Sequence, residues 1–313
     1  MINIVRNFLL ENKIKDKNII IGFSSGPDSV CLSLILSKLK NEFNLNAVLA
    51  YFNHKWRDEA KDEEKFTENF AHNYGFLSEI GYAPDNAKKT EETARNLRYD
   101  FFYKTAEKYN SNVVFLAHNK NDNIETLIYR IIKGTSISGL CSIPKIRDIF
   151  YRPLLDITKD EILEYLNKNN QNYMIDKSNF NSKYKRNLIR NEILPVFKNI
   201  NPKYMDSLNN LVLNSIQAEK IINNEIKKIE AEIFLQDKIL YEKYVNLDIE
   251  FRLEILNNFI GKLLKYRNRK NLLMYDSFIM NNKCSKTSLN KEYFLRTRRK
   301  MIFIEKSENG SKK

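Results

Sequence analysis

Cysteine is scarce in this chain. Its three cysteines, Cys31, Cys141 and Cys284, are scattered over 313 residues. They form no C-x-x-C pair, no zinc spacing and no disulfide framework, so a cystine scaffold is excluded and a reducing cytoplasm suits the chain. No apolar run approaches the ~18 residues of a membrane-spanning helix. The opening segment has one charged side chain, Arg6, and no small-residue cleavage site, and reads as an amphipathic helix rather than a signal peptide. No internal repeat occurs, and no G-x-x-x-x-G-K-[ST] phosphate loop. Acidic residues are thin at one end. Residues 261–313 hold 15 Lys/Arg against 4 Asp/Glu, a net of +11, whereas the first 260 residues hold 37 against 35. A basic end on a near-neutral body points to a polyanionic partner, with a solubilising surface as the alternative.

What is present is an alternation. Apolar strands are expected at 18–23, 47–53 and 113–117, with a weaker one at 76–82. Helical patterns lie between them at 28–40, 59–74, 90–109 and 121–133. Short apolar strands spaced by helices indicate βαβ units and a parallel sheet, whose ligands bind beyond the carboxyl ends of the strands. Pro153 stops the alternation, and Thr158 with Glu161 makes a capping-box start for a helix through Asn169. From about Asn187 the pattern is helical, with a long segment over 204–234 and a shorter one over 251–264. The piece 293–304 reads as a hairpin or a single strand. Residues 306–313 have the composition of a disordered tail. The division expected is a catalytic domain over 1–200 and a helical, basic domain over 201–313.

Directly after the first strand stands Ser24-Ser25-Gly26-Pro27-Asp28-Ser29. A strand that ends in a Ser/Gly turn and opens a helix aims unpaired amides at an anion. The run resembles the pyrophosphate loop of the N-type ATP pyrophosphatases, S-G-G-x-D-S, with Ser25 at the first glycine. Glycine serves where the backbone needs positive φ or close approach. Ser25 therefore either tolerates the local geometry or makes the loop less accommodating.

Further blocks follow. Asn53-His54-Lys55-Trp56-Arg57 ends the second strand, and His54 is either a loop histidine or part of a site. Arg95 and Arg98 lie three apart on one helix face, able to pair with carboxylates or to reach phosphate. His118 and Asp122 flank the helix start after the strand at 113–117, where a histidine can meet phosphate or move a proton, or simply sit beside a cap. Glu125 and Arg130 lie farther along that helix. Arg152-Pro153-Leu154 forms a turn. Asp176-Lys177-Ser178-Asn179 precedes the basic run Lys183, Lys185, Arg186 and Arg190, a phosphate-binding composition or a charged helix start.

In this order, from Asn18 to Pro195, the blocks resemble the tRNA(Ile)-lysidine synthetase family. Two places depart from its pattern: Asn119 and Asn121 stand where a second histidine and an extra aspartate are common. Long members add a further C-terminal domain, and the resemblance here is expected to be to the compact form. The resemblance implies an α/β fold, a parallel-sheet PP-loop ATPase domain (adenine nucleotide alpha-hydrolase-like) followed by a mainly helical C-terminal domain. It implies a cytoplasmic enzyme, bacterial or of the plastid stroma, that joins L-lysine to C2 of the wobble cytidine of a CAU-anticodon tRNA(Ile). ATP activates the C2 oxygen, and pyrophosphate and then AMP leave. On this resemblance Ser24, Ser25, Gly26, Pro27, Asp28 and Ser29 hold ATP, and Asp28 takes Mg2+. Asp28, His118, Asp122, Arg130 and Arg190 are catalytic candidates. Arg95, Arg152, Arg186, Arg298 and Arg299 are candidates for tRNA. No membrane partner is implied, and a homodimer is left open. A tRNA thiolase of the same loop class and an inactive tRNA-binding protein are the alternatives.

Overall fold

The computed structural model describes residues 1–56, 60–174, 185–264, 268–281 and 285–307. Arg57, Asp176, Lys177, Ser178, Asn179, Lys183 and Cys284 lie outside them, as does the Arg186 side chain. Two compact units divide the chain, Met1–Ile216 and Gln217–Lys313.

The first unit is an α/β layer structure. Its elements are α1 (Ile2–Glu11), β1 (Lys17–Phe23), α2 (Pro27–Leu39), β2 (Leu45–Asn53), α3 (Ala60–Tyr74), β3 (Leu77–Tyr82), α4 (Glu91–Lys108), β4 (Val114–Phe115) and α5 (Lys120–Lys133). A short α6 (Ile137–Leu140), the hairpin β5 (Ile146–Arg147) and β6 (Phe150–Tyr151), and α7 (Lys159–Lys168) follow. Then come α8 (Lys185–Leu188), a π-helical turn (Ile189–Ile193), α9 (Leu194–Ile200) and α10 (Tyr204–Ile233), which belongs to this unit up to Ile216 and to the second from Gln217. The sheet order is β3-β2-β1-β4-β6-β5, with every pair parallel except β5–β6.

Strand alternation sends side chains to both faces of this sheet. Ile19, Ile21 and Phe23 pack with Val5, Leu9, Leu32, Ile35, Phe70 and Ile162 from α1, α2, α3 and α7. Ile20 faces the other way, onto Phe102, Ala106, Val114 and Leu116. Each fully buried Ile or Leu contributes about 1.5–3 kcal/mol, so the run Ile19-Ile20-Ile21 commits β1 to the centre. Gly22 is required by closeness: a Cβ there would lie 2.8 Å from Leu116 Cδ2 and 2.9 Å from Phe102 Cζ.

The winding runs outward from β1 through β2 to β3, then returns to place β4 on the other flank of β1. The turn after β1 (24–29) and the turn after β4 (116–119) therefore meet at a topological switch point, where doubly wound sheets bind ligands.

The second unit holds β7 (Phe234–Leu235), β8 (Lys238–Leu240), α11 (Tyr241–Val245), α12 (Ile249–Gly261), α13 (Arg269–Asn281), β9 (Ser285–Ser288), β10 (Tyr293–Arg298) and β11 (Met301–Lys306). Helices dominate it, and the hairpin reading of 293–304 is the one adopted, within a five-stranded antiparallel sheet β7-β8-β11-β10-β9. The strand reaches Lys306, inside the stretch expected to be a tail, and residues 308–313 of that stretch lie outside the described residues. Ile226, Tyr244, Ile255, Leu256, Ile260, Ile279, Leu295 and Ile302 form the core. Inside it Asp276 takes the Tyr244 hydroxyl at 2.7 Å and Arg252 Nε at 2.9 Å, so this buried carboxylate is compensated.

Candidate active site

The turn after β1 leaves backbone donors open. No side chain caps α2 at Gly26, and Pro27 starts the helix, so the first-turn amides stay available. Gly26 has φ −74°, open to any residue, and an added Cβ would meet nothing nearer than Ser24 Oγ at 3.5 Å. Glycine there leaves the turn uncovered. Ser24 and Ser29 brace the loop from within: Ser29 Oγ accepts from Ser24 N at 3.1 Å and donates to Gly26 O at 3.0 Å. Ser25 adopts φ +58°, the left-handed region that glycine serves at lower cost. Its hydroxyl repays this conformation by donating to Glu63 O at 3.2 Å and contacting Thr67 Oγ1 at 3.3 Å, fully buried. The serine thus tolerates the geometry.

Asp28, in the first turn of α2, is held from two sides. Lys159 Nζ lies 2.8 Å from both carboxylate oxygens, and Asn119 Nδ2 donates to Oδ1 at 3.0 Å. Both departures from the family pattern serve this grip. Asn119 caps α5, accepting from Asp122 N at 3.0 Å while Asp122 Oδ2 accepts from Asn119 N at 3.0 Å. Asn121 Oδ1 accepts from Lys159 N at 2.9 Å and so fixes the start of α7.

Beside them is a second ionic group. Arg190 grips Glu125 with two nitrogens, Nε–Oε1 at 2.6 Å and Nη2–Oε2 at 3.0 Å, and Nη2 is 3.8 Å from Asp122 Oδ1. Arg190 sits in the π-helical turn, a local widening frequent at functional sites. Burial opposes its charge, but Glu125, Asp122 and Asp28 outweigh burial and raise its pKa. Asp122 is pushed up to about 6, mainly by burial, with Asp28 and Glu125 adding and the Asn119 amide and Arg190 opposing. The switch point thus holds three carboxylates and two cations around the turn 24–29.

A PP-loop domain model matches residues 2–197. The chain belongs to the PP-loop family. Two curated relatives are tRNA(Ile)-lysidine synthases. That of Clostridioides difficile is 35% identical over 80% of this chain and 57% of its own length. That of Clostridium tetani is 38% identical over 70% of this chain and 49% of its own. The chain therefore spans about half the length of these relatives. A solved U34-tRNA thiolase of Methanococcus maripaludis, with a [4Fe-4S] cluster, superposes with a TM-score of 0.57 at 17% identity, covering 69% of this chain and 77% of that one. At that identity the likeness is one of fold.

Within this PP-loop fold the remaining candidates fall into separate groups. His118 is half-buried between β4 and Asn119. Arg130 Nη1 donates to Gly139 O at 2.9 Å and Ser142 O at 3.0 Å, fastening the segment after α5. Arg152 is 4% exposed and donates to Pro144 O at 3.0 Å; burial lowers its pKa against the contact with Tyr99. Exposed Arg95 lies over the Tyr99 ring, 4.8 Å from its centroid. His54 packs on Phe52 and Trp56 at 4.9 and 5.4 Å between ring centroids. Arg298 and Arg299 belong to the second unit, at the β10–β11 turn. Lys159 is the member that sequence reasoning passed over, and Glu125 is one that it named on its helix without giving it a role. The capping box at Thr158 marked the start of α7 and nothing in it marked the next residue as an ion-pair partner.

The raised Asp122 pKa has a measurable consequence. Between about pH 4, the ordinary aspartate value, and about 6, the folded state binds the proton more tightly than the unfolded chain. The stability it contributes is full below that window and is lost as pH rises through about 6. Because 30% of the Asp122 side chain is open to solvent, screening trims the cost to about 1–2 kcal/mol. Asp122→Asn, without nucleotide, should exceed the parent's stability by that amount above pH 6, with the gap closing towards pH 4. Urea unfolding at pH 4.5, 6 and 8 checks it, and a gap independent of pH refutes it.

Proposed function

We propose that this chain joins L-lysine to C2 of the wobble cytidine of a CAU-anticodon tRNA(Ile), using ATP. The observation that carries the reading is the uncapped turn 24–29 meeting Asp28, Lys159, Asp122 and Arg190 at the switch point. The names of the curated relatives point to the same reaction. A C2 carbonyl oxygen is a poor leaving group and must be activated. In the first step it attacks the α-phosphorus of ATP, forming a P–O bond as pyrophosphate leaves. In the second the lysine amine forms a C–N bond to C2, and AMP departs with the original oxygen.

The residues divide the work. Amides of Ser25, Gly26, Asp28 and Ser29 hold the phosphates, while Pro27 and the Ser29 hydroxyl, which accepts from Ser24 N, shape the turn. Magnesium fits Asp28, whose two oxygens already hold one cation, the Lys159 ammonium; bound there it would offset charge on the leaving pyrophosphate. Arg190, aimed by Glu125, meets negative charge as it develops. Asp122, with a pKa near 6, can hold the lysine ammonium and take its proton near neutral pH. His118 polarises the reacting group, and Arg130 keeps the wall after α5 in place. Arg95 meets tRNA from the catalytic domain, 1–200, and Arg298 and Arg299 do so from the basic domain, 201–313, in a cytoplasmic setting; Arg186 is a tRNA candidate by sequence alone, and Arg152, 4% exposed and bonded to Pro144 O, braces its turn rather than meeting tRNA.

Sulfur transfer has less support. Cys31 is fully buried, its thiol is pushed up to about 12 by burial and by Asp28, and so it is a poor source of thiolate at neutral pH. Mass spectrometry of the nucleosides of tRNA treated with ATP and lysine tests the proposal. Lysidine is expected, and thiolated or unchanged cytidine would overturn it. Replacing Arg298 and Arg299 with Gln should weaken tRNA binding and lower the log–log salt slope by about 0.7–0.9 per lost phosphate contact. Filter binding at several salt concentrations measures it, and an unchanged slope would reduce this turn to a solubilising surface.

A further inference from the structure

The sheet of the second unit has one face in the core and one outside. Leu295, Thr297, Ile302 and Ile239 are buried, so the alternating residues Phe294, Arg296, Arg298, Phe303 and Glu305 point outward. The strand register sets Arg296 opposite both Lys286 and Phe303, and Phe294 opposite Ser288 and Glu305. Neither Phe294 nor Phe303 is among the side chains of the core cluster. Each instead carries a lysine over its ring, Lys286 Nζ at 5.1 Å from the Phe294 centroid and Lys238 Nζ at 5.5 Å from that of Phe303. Both rings are half-buried, and the ammonium lies over one face of each. Glu305 is the single carboxylate of this row, and it aligns Arg296 through contacts of 2.7 and 2.8 Å.

We propose that this outer face is a stacking platform for a single-stranded stretch of RNA. Phe294 and Phe303 each take a base, and Lys238, Lys286, Arg296 and Arg298 take the phosphates between them. The two residues stand diagonally on adjacent strands, about 7–8 Å apart and somewhat closer at Cβ, within reach of two neighbouring bases. Four cations against one carboxylate on a face with two rings match a polyanion that also has flat apolar surfaces. An acidic peptide would use the cations and leave the rings idle. This deepens the tRNA-ligation reading and rests on it for the presence of RNA.

The test uses the full chain and a labelled uridine decamer, with a duplex RNA of equal length as control, followed by fluorescence anisotropy at three salt concentrations. Phe294→Leu with Phe303→Leu keeps apolar strand residues and removes stacking. The pair should lose about tenfold or more in affinity per ring with an unchanged salt slope. Lys238→Gln with Lys286→Gln should lower the slope by about 0.7 for each lost contact, at intact folding. Thermal melting checks both pairs, and if the double ring variant melts early, Phe303→Leu alone carries the comparison. Ring variants that bind the decamer like the parent, preference for the duplex, binding only of an acidic peptide, or a dimer of the chain abolished by the ring variants would each overturn the platform. Lysidine formed by a parent whose ring variants bind normally sinks the platform alone. Ring-dependent decamer binding without lysidine sinks the ligation reading and leaves the platform standing.

Discussion

Replacing Asp28 with asparagine is expected to leave ATP bound and to stop turnover. Asparagine keeps the shape of the side chain in the first turn of α2, so the braces from Ser29 to Ser24 and Gly26 persist. What goes is the charge that Lys159 grips with two contacts of 2.8 Å. The ammonium, only 32% exposed, is then free to turn to the phosphates, so nucleotide affinity should hold or rise slightly. The cation site for the leaving pyrophosphate is lost at the same time, and removal of one charge-stabilising group commonly costs about 10²–10³ in rate. A drop of at least about 100-fold in tRNA-dependent pyrophosphate release, with ATP affinity within about threefold, is the expected result. Turnover near the parent's would remove Asp28 from the site. Lys159→Met should behave in the opposite way, weakening ATP more than it slows the chemistry.

Local patterns carried the frame of this molecule and long-range pairs carried the site. The run Ile19-Ile20-Ile21, the helical pattern over 90–109 and the capping box Thr158–Glu161 are readable within a few residues, and each marks an element that exists. The grip on Asp28 joins residues 131 positions apart, and that on Glu125 spans 65. Such distances leave no periodicity. β5 and β6, two residues each, are too short for alternation to register. In the second unit the β7–β8 and β10–β11 turns use Gln236, Arg299 and Lys300 at φ +57°, +52° and +61°. Hairpin turns of that kind are usually announced by Asn-Gly or Asp-Gly, so the sheet was half hidden. The same basic residues that masked the turn drew attention as an RNA surface. Helix α13 went unnoticed within that basic stretch, although Tyr275 and Ile279 bury one of its faces. At Ser25 the letters left two outcomes open, and the buried bonds to Glu63 and Thr67 decide between them.

Arg190 should prove to be two residues in one, a structural cation and a catalytic one, and the two roles can be separated. Its partner Glu125 has 3% of its side chain exposed, while Arg190 itself has 43%. Arg190→Ala leaves that carboxylate buried near Asp122 without its guanidinium. Removing one partner of a buried pair costs roughly 3–5 kcal/mol, here at the low end because Arg190 is half open. Turnover should fall by at least about 100-fold as well. Arg190→Lys restores a charge but not the two-pronged contact, so it should regain most of the stability and little of the rate. Glu125→Gln should fold well and lose about tenfold in rate, because Arg190 then lacks its aim. The deciding protein is the double variant, Arg190→Ala with Glu125→Gln. With no unpaired buried charge it should recover stability to within about 1 kcal/mol of the parent. Its pyrophosphate release should stay as low as that of Arg190→Ala alone. A double variant that regains turnover along with stability would show Arg190 to be a brace for the π turn and nothing more.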